Sequence, residues 1–276
     1  MTVHEPLIVR FGAFAISGYG IALASAVALA YFVGRRELQL RGENPDHADD
    51  VFLVALCGVV GAKLYEVVVS GASLTSRGGF SYLGGCLTAL PALWLITRAR
   101  GYPASRVMDT LAVSAAAAVP VARTGCWAIG DDYGMPWSSP FAVSFPMGSP
   151  PSTVAMFRDR FHVALPGAPG DVVSVHPTQL YEMVLGLAIF GAIWHHRGHE
   201  HGKGWLAGLF LALTGVERFA IEFLRAKSDR VLPYGFTIAQ LVAVVLFVCG
   251  MLLMGWRSAK RGESGQSNKP GNLRRA

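Results

Sequence analysis

The sequence predicts an all-α integral membrane protein: seven transmembrane helices with a small external head segment. Three observations carry that expectation. Of 276 residues, 52% are hydrophobic and only 15% charged, whereas a soluble domain carries about 25% charged residues. Apolar stretches of roughly 20 residues, the length that crosses hydrocarbon as a helix, recur at residues 13–34, 51–70, 81–98, 105–128, 176–196, 204–225 and 233–256. The polar stretch between the fourth and fifth is too long for a tight turn. Residues 1–256 are thus read as a membrane domain with an external insertion at about 131–175, and the Lys-, Arg-, Gly- and Ser-rich residues 257–276 as a mobile cytoplasmic tail.

The first apolar run lacks a basic segment ahead of it and continues into a full span, so it is expected to be retained rather than cleaved. Arg35, Arg36 and Arg41 follow it; Arg98, Arg100 and Arg106 follow span three; Arg197 and Lys203 follow span five; Arg257, Lys260 and Arg261 follow span seven. The positive-inside rule makes those loops cytoplasmic, with the N-terminus outside and the C-terminus inside. The opposite loops hold Arg77, Arg158, Arg160, Lys227 and Arg230. The net charge of +6 comes mostly from topogenic residues and the tail, so no nucleic-acid partner is expected. Cys57, Cys86, Cys126 and Cys249 have no metal-like spacing and read as small packing residues. No cofactor or metal is expected; His195, His196, His199 and His201 form a tract on the opposite side from the polar cluster described next.

With this topology each intramembrane polar residue acquires a depth. Spans two, four and six run outward and place Lys63, Glu66, Arg123, Arg218, Glu222 and Arg225 late in their helices. Spans one, three, five and seven run inward and place Tyr19, the Ser81-Tyr82-Leu83-Gly84-Gly85 turn, the segment His176 to Glu182 and Gln240 early in theirs. All fall in the outer half and read as one cavity open to the external leaflet. Ionised groups in hydrocarbon are costly and mark function unless they only pin helices together. Arg218, Glu222 and Arg225 share a helical face at i, i+4 and i, i+3, so Glu222 can neutralise one arginine. Lys63 and Glu66 are i, i+3 and can cancel each other. Arg123 has no acidic partner in its own helix; Asp131 and Glu182 are available from elsewhere. Planar guanidinium forks suit bidentate capture of phosphate. The segment His176-Pro177-Thr178-Gln179-Leu180-Tyr181-Glu182 reads as a helix start, with proline in the first turn.

In order along the chain, Gly61-Ala62-Lys63-Leu64-Tyr65, Gly78 to Gly85, the Arg-x-Gly run from Arg123 to Gly134, His176 to Glu182, Arg218-Phe219-x-x-Glu222-Phe223-x-Arg225 and Gln240 together resemble the prolipoprotein diacylglyceryl transferase family. That resemblance implies a bacterial cytoplasmic-membrane enzyme. It would move the diacylglyceryl group of phosphatidylglycerol to the thiol of a lipobox cysteine, releasing glycerol phosphate. Its partners are phosphatidylglycerol, prolipoproteins and membrane lipid. Arg123 and Arg218 would hold the phosphate, with Glu222 orienting Arg218. Tyr19, Gly84, Gly85, Gly130, Asp131, Gly134, His176, Gln179, Tyr181, Glu182, Arg225 and Gln240 would line the site. Five positions depart from the family, among them Lys63, where its members usually have Arg, and Glu66, where they commonly have an aromatic. Leu83 stands where its members have a histidine treated as a base or polar contact, Cys126 where they have Asn, and Asp131 where they have Glu. Glu66 is the first substitute for the proton acceptor, because a carboxylate in an apolar cavity becomes more basic; Asp131 and His176 are the others. The alternative is a non-catalytic relative that binds an anionic lipid or lipoprotein. A transporter is disfavoured because the polar groups stop at one depth.

Overall fold

The computed structural model describes residues 8–11, 14–71, 81–101, 104–198, 201–226 and 235–267. Among them are eight α-helices: α1 (Gly18–Leu40), α2 (Ala48–Ser70), α3 (Tyr82–Arg100), α4 (Ala104–Ile129), α5 (Val154–Asp159), α6 (Thr178–His196), α7 (Trp205–Glu222) and α8 (Ile238–Ser267). Each predicted apolar stretch overlaps one helix of 18 residues or more, and the eighth helix, α5, has 6. By length and composition, four segments among the described residues can cross a membrane: Gly18–Leu40, Pro45–Val69, Val107–Ile129 and Ile238–Trp256. Large apolar side chains face outward on several helices, with Val68 81% exposed, Leu252 67% and Phe32 65%. So much exposed hydrocarbon fits a lipid-facing wall and not a watery one.

Three boundaries correct the sequence reading. Residues 14–17 are not helical: β1 (Ile8–Phe11) and β2 (Phe14–Ser17) pair antiparallel ahead of an otherwise helical chain. Helix α1 starts at Gly18, where the Ser17 hydroxyl accepts from the Gly20 N–H at 3.1 Å and caps the first turn. Helix α8 continues through residue 267, beyond the span end expected at 256. The predicted segment from Gly78 to Phe80, Arg77, Lys227, Arg230, His199 and residues 268–276 lie outside the described residues.

Packing follows small residues. On α1, Gly18, Ala22, Ala26, Ala30 and Gly34 recur every four positions and are buried. This stripe lies on antiparallel α4, where Gly125 faces Ala22 and Tyr19, and Gly34 faces Ser114 and Thr110. Helices α7 and α8 approach as closely: a Cβ at Gly250 would lie 2.5 Å from the Gly208 carbonyl oxygen. Close backbone approach through small residues suits helices that gain little from hydrophobic burial against each other in lipid.

One end of the bundle is tied by ionic and capping contacts. Glu37, only 3% exposed, accepts from Arg41 just after α1 at 2.8 Å and from Arg197 after α6 at 3.0 Å. Asp109 of α4 caps α7 from outside, its carboxylate accepting from the N–H groups of Gly204 at 2.6 Å and Ala207 at 3.0 Å. Asp109→Ala would strand these two buried donors. It is expected to destabilise the protein by about 1–3 kcal/mol, read as a lower thermal midpoint of the detergent-solubilised chain.

At the other end, residues 131–175 build a head with its own core of Tyr133, Val143, Phe145, Phe157 and Val175, joined by Ala226. Ser152 locks it: its hydroxyl accepts from the Phe145 N–H at 2.8 Å and donates to the Val173 carbonyl at 3.0 Å. Backbone pairing then stitches the head to the chain leaving α7, through Met135 N–H to Leu224 O at 2.8 Å and Ala226 N–H to Tyr133 O at 3.3 Å.

Candidate functional site: three arginines at one end of the bundle

The end of α4 sets the site's position. Gly130 closes that helix in a left-handed conformation, φ 65°, which glycine adopts without strain. The chain then enters Asp131 and Asp132, and their backbone is held from the start of α6. The Gln179 amide donates to the Asp131 carbonyl and the Thr178 hydroxyl to the Asp132 carbonyl, each at 2.6 Å. Gln179 and Thr178 are fully buried. Gln179 therefore shapes the site through the turn above it.

Arg123, nearly two turns before the end of α4, points at two carboxylates. Its Nη1 lies 3.1 Å from Glu182 Oε2, a charge contact, and donates to Asp132 Oδ2 at 3.2 Å. Glu182, 1% exposed, also accepts from Arg218 Nη1 at 2.6 Å. Arg225 donates through Nη2 to Asp132 Oδ1. Its Nε is buried without a hydrogen-bond partner. Three guanidiniums from α4, α7 and the strand-like stretch after α7 thus meet around Glu182 and Asp132.

The helical-face argument for Arg225 fails, because α7 ends at Glu222 and Arg225 lies in a bridge with Gly134. Arg218 pairs with Glu182, and Glu222 faces the start of α8. It accepts from the Thr237 hydroxyl at 3.0 Å, and Gln240 returns its side-chain oxygen to the Thr237 N–H at 3.0 Å, capping α8. Glu222 and Gln240 therefore join α7 to α8 behind the arginines. Tyr19, in the first turn of α1, packs on Gly125, with Arg123, Asp131 and Asp132 among its electrostatic neighbours. His176 stacks on Trp137 with ring centroids 4.3 Å apart, its Nδ1 3.4 Å from the Tyr181 hydroxyl.

Two groups of expected site residues stand apart from this centre. Gly84 and Gly85 face α2, where a Cβ at Gly84 would meet Tyr65 Cβ at 2.3 Å; they let α2 and α3 touch. Leu83, at the start of α3, is 47% exposed. Glu66 is on α2, which packs chiefly on α3 and α1, and it makes none of the ion pairs that hold the three arginines.

Sequence reasoning missed Asp132 and Glu217. Glu217 makes no hydrogen bond or ion pair among the described residues, yet Glu182, Arg218, Arg123 and Arg225 all act on it electrostatically. The only available signal was adjacency: Asp132 follows Asp131, and Glu217 precedes Arg218. The Cys126 sulfur and the Asp131 and Asp132 carboxylates lie within 4.8 Å of one another. Both oxygens of Asp132 already face guanidiniums, so that grouping is organised by arginine. Outside the membrane-crossing helices, burial and then the adjoining Asp132 carboxylate push the Asp131 carboxyl up to about 7. Its Oδ1 is buried with no hydrogen-bond partner.

Gly134 couples the head to Arg225. Its N–H donates to the His176 carbonyl at 2.9 Å, and an added Cβ would fall 2.5 Å from the Leu224 carbonyl oxygen. Gly134→Ala must shift the strand carrying Arg225. Misplacing a positioning group by about 1 Å costs on the order of 100-fold, and a loss of that size in activity is expected with the chain still folded by thermal midpoint.

Fold and site together define a multi-pass membrane protein with converging guanidiniums at one end of its helix bundle. Residues 6–256 match the family model described as prolipoprotein diacylglyceryl transferase, and the chain belongs to that family. Among similar proteins is the phosphatidylglycerol–prolipoprotein diacylglyceryl transferase of Nitratidesulfovibrio vulgaris, 29% identical over 276 residues covering 94% of this chain and 96% of the relative. The protein of the same name from Symbiobacterium thermophilum is 29% identical over 274 residues, covering 95% and 96%. That from Burkholderia mallei is 27% identical over 297 residues, covering 97% and 100%.

Proposed function

We propose that this protein transfers the diacylglyceryl group of phosphatidylglycerol to the thiol of a lipobox cysteine in a prolipoprotein. The observation that carries this reading is the meeting of Arg123, Arg218 and Arg225 around Glu182 and Asp132. The site lies in the outer half of a seven-span bundle in the bacterial cytoplasmic membrane, with the N-terminus outside and the C-terminus cytoplasmic. The acyl chains stay among the apolar outer faces of the helices while the phosphate sits on the guanidiniums. The cysteine sulfur attacks the glyceryl carbon that bears the phosphate oxygen. An S–C bond forms, the C–O bond breaks with its electron pair on oxygen, and glycerol phosphate departs. Arginines stabilise the charge that grows on that leaving group. The head, residues 131–175, admits the protein substrate beside Asp131 and His176.

The thiol must lose its proton, since thiolate is the nucleophile. Asp131 suits this task better than Glu66: it adjoins the arginines, keeps one oxygen unpartnered and titrates at about 7. A carboxyl with a raised pKa becomes a base only as pH climbs through that value, so kcat/KM for a lipobox peptide should rise across pH 7 and then flatten. Asp131→Asn should lose that limb and follow the acceptor thiol's own ionisation, near pH ~8.5. An identical profile in the variant would remove Asp131 from the step. Glu66→Gln should leave the profile unchanged.

Leu83, which cannot accept a proton, favours a second reading in which the chain binds anionic lipid or lipoprotein without turnover. Complementation of a strain depleted of its own transferase separates the two. Rescue by the unaltered chain is the expected result. Failure by that chain with rescue by Leu83→His would replace transfer with binding alone.

A further inference from the structure

We propose that Asp132 is a resident counter-ion occupying the phosphate seat between Arg123 and Arg225, and that lipid enters by displacing it; this rests on the arginine cluster being the phosphate site. The two carboxylates of the centre differ in kind. Glu182 is 1% exposed and joins Arg123 to Arg218, as a permanent part of the core does. Asp132 is 36% exposed and spans Arg123 and Arg225 with one oxygen each. Two separate oxygens on two guanidiniums is also how a phosphate would be held by forked donors.

The backbone beneath Asp132 shows which part can move. Its carbonyl and that of Asp131 are both clamped by buried side chains of α6. The main chain is in the left-handed region at φ 56°, a conformation strained for most side chains and tolerated best by Asn, Asp and Gly. Side-chain rotation can therefore take the carboxylate off the arginines while the turn stays in place. Arg225 has Glu182 and Glu222 among its electrostatic neighbours, yet keeps a buried, unpartnered Nε. A phosphate has more acceptor oxygens than a carboxylate and can meet that unused donor. Entry of the ligand thus exchanges one anion for another, and an uncharged headgroup has nothing with which to displace Asp132.

A seat filled by its own carboxylate binds ligand more weakly by the fraction of time it is open. Asp132→Asn keeps the shape and left-handed tolerance but removes the charge; Asp132→Gly relieves the backbone and removes the side chain. Each full-length variant, reconstituted in nanodiscs, would be titrated with phosphatidylglycerol in one arm and free glycerol phosphate in the other, with thermal midpoints recorded. If the seat is open about a tenth of the time, either variant should tighten Kd roughly tenfold. Tightening in both arms shows a general phosphate seat. Tightening with phosphatidylglycerol alone makes it a lipid seat, and with glycerol phosphate alone a seat for the leaving group; each supports displacement. Unchanged or weaker Kd in both variants, with wild-type binding intact, would overturn this inference and leave the proposed function standing. No binding of either compound by the wild type would overturn both.

Discussion

Arg123→Ala is expected to reduce diacylglyceryl transfer by about 100- to 1,000-fold, the usual cost of deleting one preorganised donor to a charge that develops in the transition state. The protein should survive the change. Glu182 keeps Arg218, and Asp132 keeps Arg225, so neither carboxylate is left without a cation. Arg123→Lys should recover little. A single ammonium is a point charge on a flexible stem, whereas Arg123 meets Glu182 and Asp132 through Nη1 alone and has the rest of its planar fork for a phosphate. The check is a rate measured with purified protein, phosphatidylglycerol and a lipobox peptide. A Lys variant as fast as wild type would mean that charge alone, without the planar fork, suffices.

Glu182→Ala should instead act on stability. It removes the buried carboxylate that Arg123 and Arg218 share, leaving Arg218 with no ion pair among the described residues. Breaking a buried ion pair from one side costs about 3–5 kcal/mol, which for a domain of this size corresponds to a fall in thermal midpoint on the order of 10 °C. Glu182→Gln retains a hydrogen-bond acceptor and should lose less. The two classes of variant therefore separate by assay: Arg123 through rate with a near-normal midpoint, Glu182 through the midpoint itself.

Much of this arrangement was legible along the chain. Apolar length located one long helix in each predicted stretch, and alternating helix direction put Arg123, Glu182 and Arg218 at one level. Those inferences use only spacing and topology. Where the chain left the helix, they failed. Arg225 was assigned to a helical face with Glu222, but α7 stops at Glu222 because the following residues pair with Tyr133 to Met135, some ninety positions earlier. No local window contains that information. Asp132 escapes local reading for the same reason: Arg123 and Arg225 lie 9 and 93 residues from it. The glycines at 84 and 85 look like a ligand cradle in sequence, and the structure uses their lack of side chains to bring α2 against α3. Strand β2 lies hidden at the start of an apolar run, where strand and helix share one composition.

The most direct test of the central claim is whether the full-length protein moves a labelled diacylglyceryl group from phosphatidylglycerol onto the cysteine of a lipobox peptide, followed by mass spectrometry of the thioether, with Arg218→Ala alongside. The account predicts a labelled cysteine with the wild type, and little or none with Arg218→Ala in a protein that remains folded. Transfer by Arg218→Ala at the wild-type rate would contradict it.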